Sequence, residues 1–223
     1  MSKEKKIGKG FSKLSSSYIF LSKIFFGKAL LRSQFYFPGK LQNNNTILIC
    51  GIGTGELLVE ILKKEIARKV VCVDISEGMI RKTKELLLKE LPGNKIPVEF
   101  VCLPVQEYTT REKFDLIFFP YLLDCIRDED IQTTLRNAKN QLNTNGKVIL
   151  TDFQIPKGSS LVRLYAKFLL KILYFFFRIV CKIEVKKLPD FNFFFSEQGF
   201  EAQEEKTFYR GILFTRILIH KQN

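Results

Sequence analysis

Apolar and polar positions fall into two kinds of block along the chain. Residues 46–50 (TILIC) form a short, β-branched apolar run, the mark of a strand buried on both faces. Similar runs recur at 69–74 (KVVCVD), 97–103, 114–120 and 147–152. Between them lie stretches with helical spacing. In 56–67, Leu57, Leu58, Ile61 and Leu62 share one face, and 77–91 carries Lys, Arg and Glu on its outer face. A third helix is predicted over 128–142, closed by a polar turn at 143–146. Strands that alternate with helices predict a parallel sheet covered on both faces, a doubly wound α/β fold.

The flanks read differently. Residues 12–34 look helical, in two pieces, and Pro38 and Gly39 break them before a polar turn at 43–45. At the other end, 161–183 reads as a long Phe-rich helix, with Pro189 beyond it. A further helix is predicted at 191–198, then two strands at 201–209 and 212–220 joined near Arg210-Gly211. Such a hairpin would close the sheet, bringing the expected strands to seven, mostly parallel with an antiparallel C-terminal strand. No internal repeat is present.

A length of 223 residues suits one domain. The organisation predicted is a basic tail over 1–10 and a single domain over 11–223. Within that domain 11–40 is a helical lid and 160–198 an apolar helical insertion. Thirty-six Lys and Arg against 23 Asp and Glu give a net charge of +13, so the chain should seek anions such as phospholipid headgroups, nucleic acid or an acidic partner. Five cysteines, an odd number with no CxxC pair, argue against a disulfide framework or a zinc knuckle and for a reducing, cytoplasmic compartment. His220 is the only histidine, which nearly excludes mechanisms that need a histidine base or several histidine ligands. No metal site is expected. Arg163, Lys167, Lys171, Arg178 and Lys182 interrupt 161–183, the nearest approach to a membrane span. The basic start is followed by an apolar stretch that Lys23 and Lys28 break, with no small-residue cleavage site, unlike a signal peptide.

Candidate chemistry starts at Gly51-Ile52-Gly53-Thr54-Gly55-Glu56, a glycine loop between a strand and a helix. It lies at the carboxyl edge of the first strand, where open α/β sheets bind ligands. A P-loop needs Lys-Ser/Thr after its glycines, and none follows. A dinucleotide fingerprint needs a small residue where Glu56 stands, and an acid at the helix start suits a ligand without pyrophosphate. A GxGxG loop of the kind that holds S-adenosylmethionine (SAM) fits, since it wraps an amino acid and a ribose. Asp74 ends the second strand, where a carboxylate can accept from both ribose hydroxyls; the structural alternative is a cap on the next helix.

With these features, residues 11–153 resemble class I SAM-dependent methyltransferases, most nearly the branch of ubiquinone- and menaquinone-type C-methyltransferases. The matching segments are ILICGIGTGELL, VVCVDISEGMIRKTKE, FDLIFFPYLL and NGKVILTDF, with FSKLSSSY near the start. The resemblance implies a Rossmann-like fold and SAM as cofactor. It implies that Gly51, Ile52, Gly53, Thr54 and Gly55 hold the methionine part and Asp74 the ribose. Ile75 and Met79 would sit beside the adenine, Tyr18 over the cofactor, and Phe119, Pro120 and Tyr121 on the far side of the pocket. The family often has Gly-Asp-Ala near the third strand; here Leu103-Pro104-Val105 replaces it. Pro104 has no N–H to give, so adenine recognition there falls to the Val105 backbone and apolar packing.

Methyl transfer from a sulfonium needs a positioned nucleophile and, for oxygen or nitrogen acceptors, a base. Asp124 and Tyr121, just after the fourth strand, are the candidates, with a structural helix-start acid as the other reading of Asp124. Phe118-Phe119-Pro120-Tyr121 lacks the polar first residue of amino-methylating nucleic-acid enzymes, which argues against a nucleic-acid partner. The cations of 161–183 are spaced 4, 4, 7 and 4, a stripe about 100° wide on an otherwise apolar helix. That helix can be a lid, a contact with an anionic membrane at its inner face, or a homodimer face. The expected function is methyl transfer to a lipophilic small molecule, a quinone precursor or a lipid. The alternatives are an RNA or protein methyltransferase and a non-catalytic, membrane-associated subunit of the same fold.

Overall fold

A computed structural model describes residues 25–180, 184–185 and 187–221. The 1–10 tail and Tyr18 lie outside the described residues, as do Cys181 and Lys182. The seven strands are β1 (Asn45–Cys50), β2 (Ala67–Asp74), β3 (Val98–Cys102), β4 (Phe114–Pro120), β5 (Leu142–Phe153), β6 (Phe200–Phe208) and β7 (Leu213–His220). Among the described residues six α-helices accompany them: α1 (Ala29–Gln34), α2 (Glu56–Lys63), α3 (Glu77–Glu90), α4 (Asp128–Gln141), α5 (Ser160–Val180) and α6 (Phe191–Glu197).

The sheet order is β3-β2-β1-β4-β5-β7-β6. Pairings among the first five strands are parallel, and β7 pairs antiparallel with both β5 and β6. Order reverses between β1 and β4, so the carboxyl ends of those two strands frame a crevice.

Alternation along each central strand fills two cores. Leu48 and Cys50 of β1 face one side with Val71, Val73, Ile117 and Phe119, under Ile131 and Leu135 of α4 and the phenylalanines of α6. Ile47 and Ile49 face the other, under Leu57, Leu58, Ile61 and Leu62 of α2. A third cluster joins Leu169, Leu170, Leu173 and Phe177 of α5 to Phe153, Ile212 and Leu213, with Leu30 of α1. Edge strand β6 is almost wholly exposed and carries Glu201, Glu204, Glu205 and Lys206, charges that discourage further strand pairing.

Most boundaries among the described residues fall within two residues of the expected ones, and two move by four or five, each for a local reason. Helix α2 stops at Lys63 and not at 67, because Glu65 takes a left-handed φ of 52° and Ala67 is already paired with Asn45 in the sheet. The turn expected at 143–146 is the start of β5, since Leu142 pairs with Phe114 and the Asn143 amide donates to the Asp115 carboxylate.

Candidate active site

β1 delivers the glycine loop to the crevice. The Gly51 N–H donates to the Val73 carbonyl at 2.8 Å, which ties the loop to β2. Gly51, Gly53 and Gly55 all have positive φ (77°, 56° and 93°), a conformation that costs glycine nothing. The three differ in surroundings. A Cβ on Gly51 would lie 3.2 Å from Leu122, and one on Gly55 would lie 2.8 Å from the Thr83 methyl. A Cβ on Gly53 would meet nothing within 4 Å, so its face is open.

Asp74, at the end of β2, organises the loop from the other side. One carboxylate oxygen accepts from the Ile52 N–H at 3.0 Å and the other from the Ser76 N–H at 2.8 Å. Ser76 in turn caps α3 by accepting from the Met79 N–H at 3.2 Å. The two readings of Asp74 thus combine: it holds the cap residue of the next helix while lining the site. Burial pushes its carboxyl up to about 6, although the N–H groups of Ser76, Ile52 and Gly53 pull the other way.

A cavity of about 300 Å³ opens between these elements. Gly51, Ile52, Gly53, Thr54, Asp74, Ile75, Met79, Val105, Pro120, Tyr121 and Asp124 all line it, so most residues expected from sequence come together. Gly55 does not; it starts α2 and packs on Thr83. Phe119 does not either. It is fully buried in the α4-side core, one residue short of the strand end where the chain turns into the crevice. Sequence reasoning missed Gln34 from α1, Gln106 beside Pro104, Phe153 at the end of β5 and Phe177 from α5.

These residues fit the cofactor that the loop implies. The open left-handed face of Gly53 leaves room for close approach, the Asp74 carboxylate stands beside it, and Ile75, Met79 and Val105 give an apolar place for a base. Both Pro104 and Val105 line the cavity, as the substitution at this position requires.

Tyr121 has a left-handed φ of 52°, a conformation that costs a non-glycine residue on the order of 1 kcal/mol. Its N–H donates to the Thr151 carbonyl at 2.7 Å, and its ring packs on Phe153 at 5.0 Å. The Ser33 hydroxyl donates to the Leu30 carbonyl at 2.7 Å, so in the 2.6 Å contact between Ser33 Oγ and Tyr121 Oη the phenol is the donor. Tyr121 therefore ties α1 to the crevice.

Asp124 follows on the short turn Leu123–Cys125 and is fully buried. One oxygen accepts from the Cys125 thiol at 3.3 Å; Oδ2 has no hydrogen-bond partner. Asp152, at the end of β5, is also fully buried, and its Oδ2 is unpartnered as well. Its Oδ1 accepts from the Phe153 N–H at 2.8 Å. Burial raises the Asp124 carboxyl, while Cys125 and Tyr174 of α5 lower it. Burial and then the Asp124 charge hold Asp152 well above the ordinary carboxylate range. The Tyr174 phenol is pushed up by burial and by both carboxylates. Two buried acids under one phenol favour holding a proton between them, and a carboxyl raised towards neutrality is a better base. Asp152 carried a signal in the sequence: KVILTD ends on an acid at the strand terminus as KVVCVD does.

Comparison with known proteins agrees with this architecture. Residues 47–146 match the family described as a methyltransferase domain. The chain is 27% identical over 112 residues to the human N-terminal Xaa-Pro-Lys N-methyltransferase 1, covering 50% of this chain and 48% of that protein. It is 27% identical over 150 residues to a malonyl-[acyl-carrier protein] O-methyltransferase of Ilyobacter polytropus, covering 67% and 53%. The chain thus spans about half the length of these curated relatives. Among solved structures, the Burkholderia thailandensis 1,6-didemethyltoxoflavin-N1-methyltransferase with bound S-adenosylhomocysteine superimposes with a TM-score of 0.67 at 16% identity, over 96% of this chain and 87% of that one. The DhpI complex with S-adenosylhomocysteine gives a TM-score of 0.68 at 14% identity, over 98% and 97%. The chain thus carries a methyltransferase-domain match over residues 47–146 and shares the fold of these methyltransferase structures.

Proposed function

We propose that the chain transfers the methyl group of SAM to a lipophilic small molecule bearing an O–H or N–H nucleophile, with Asp124 as the base. The observation that carries this is one cavity lined by the glycine loop, Asp74 and a fully buried acid with an unpartnered oxygen. Gly51–Thr54 and Asp74 would hold the donor, which supplies a methyl group already activated by a sulfonium charge. Leu122 packs on Gly51, so the turn carrying Asp124 stands against the loop. Tyr121, Phe153 and Phe177 give the acceptor an apolar, water-excluding wall. Asp124 takes the acceptor proton. Burial keeps the Asp124 carboxyl raised; Asp152, itself raised by burial and by the Asp124 charge, is a positioning residue that holds the proton of the pair, and Tyr121 positions α1 over the site.

Methyl-labelled SAM incubated with lipophilic phenols, quinols and amines tests this reading. Label should move into the organic extract, and Asp124→Asn should abolish the transfer. Label recovered only in protein or RNA acceptors would overturn the lipophilic assignment in favour of a macromolecular substrate.

A further inference from the structure

Helix α5 has two apolar faces, and only one of them is used by the fold. Ala166, Leu169, Leu170, Leu173, Tyr174 and Phe177 are buried against β5, β7 and the cavity. On the opposite side Leu161, Leu164, Phe168, Phe175 and Ile179 point to solvent, with the exposed Tyr165 beside them in hydrogen-bond contact with Tyr209; Leu161 is 79% exposed, Phe168 64% and Phe175 63%. These are six of the nine large apolar side chains exposed among the described residues, gathered on one helix. At 100° per residue they occupy a face about 100° wide. Arg163, Lys167, Lys171 and Arg178, all exposed, run along one border of that face. The helix has 21 residues and no acid. It is about 30 Å long.

We propose that this face of α5 lies in the interface of an anionic membrane, with the lysines and arginines on headgroups and the phenylalanines and leucines in the acyl boundary. Charge decides the occupant. A surface of negative headgroups complements an acid-free cationic border and a net charge of +13. A second copy of the chain would bring the same four cations and no acid on this helix to meet them. No helix among the described residues is long and apolar enough to cross a membrane, so α5 would lie in the surface plane. The proposal goes beyond methyl transfer and does not depend on it. It gives α5 a double role, because its inner face supplies Phe177 to the cavity wall and Tyr174 to the buried acids. A lipophilic acceptor held in the bilayer would then meet the protein at the helix that closes its site.

The test is sedimentation with vesicles of phosphatidylcholine, alone or with about one-third phosphatidylglycerol. The full chain should bind the anionic vesicles at least tenfold better than the neutral ones, and added salt should weaken binding. Phe168→Ser with Phe175→Ser keeps the net charge and removes apolar area, and should lower anionic binding by about tenfold or more. Lys167→Gln with Lys171→Gln should lower it too. All four positions are exposed, so each variant should keep the wild-type melting temperature and S-adenosylhomocysteine affinity. Binding unchanged by the phenylalanine pair would mean charge adsorption alone and would overturn the proposal. So would absence of binding by the folded chain. Self-association in sedimentation velocity, lost in the phenylalanine variant while vesicle binding stays weak, would assign the face to a second copy.

Discussion

Replacing Asp124 by Asn should harm function and help the fold. The carboxyl is fully buried beside a second buried carboxyl, and each has an oxygen without a partner. The amide has nearly the same shape and no charge. Removing the one buried charge that the pair carries should stabilise the free protein by about 1–3 kcal/mol. For a chain of this size that is a rise in Tm of roughly 2–4 °C per kcal/mol. The sign follows from protonation. Folding raises this carboxyl, so its penalty is full above the raised value and vanishes below the unfolded one. The advantage of Asn should therefore shrink as pH falls from 7 towards 4. The functional side is readable without knowing the acceptor. Sinefungin carries an amine where the donor carries its methyl group, whereas S-adenosylhomocysteine has nothing there. With Asp124 as the proposed base, its carboxylate should favour sinefungin by a charge-assisted hydrogen bond of about 1.5–3 kcal/mol, or roughly 10- to 150-fold. Calorimetry on both proteins measures this. Asp124→Asn should lose the preference for sinefungin and keep the affinity for S-adenosylhomocysteine. A lower Tm with an undiminished sinefungin preference would refute the reasoning on both counts.

Donor affinity should fall in acid. Asp74 accepts in its charged form and titrates at about 6, so SAM binding at pH 5 should be about tenfold weaker than at pH 8 by calorimetry. The same shift lifts a carboxyl from 3.8, so the Asp74 contribution to stability should improve by up to about 3 kcal/mol as pH falls through that window, visible as a rise in Tm of the ligand-free protein. Gly55→Ala puts a methyl group 2.8 Å from Thr83 Cγ2 at a φ of 93° and should cost about 2–4 kcal/mol in urea unfolding. Tyr121→Phe removes the bond to Ser33 and should cost about 1 kcal/mol, with faster amide exchange in Ala29–Gln34 as the specific sign.

Local pattern made the sheet legible. β4 spans the predicted 114–120 to the residue, because Phe114–Pro120 is apolar apart from Asp115 near its start and ends at Pro120. Gly51-Ile52-Gly53 and Asp74 were readable together because chain order places a β1 loop next to the end of β2. Residues that reach the cavity from distant elements left weaker marks. Gln34 and Phe177 come from α1 and α5, and which face of each helix turns inward is set by packing on Phe153 and Leu213. Helix α5 is apolar almost all round, so periodicity located its cationic stripe and could not separate the buried face from the exposed one. Phe119 was misplaced by one step of the strand period. Its side chain alternates into the core, and the turn at Tyr121 supplies the pocket instead.

Gly51–Thr54 and Asp74 are proposed to form a SAM site, and one calorimetric titration tests it. The folded chain should bind SAM with micromolar affinity. Asp74→Ala should weaken that binding at least tenfold, through the lost ribose acceptor and the loosened Ile52 and Ser76 N–H groups. A folded chain that takes up no SAM, or an Asp74→Ala protein that binds it as well as wild type, would contradict the account.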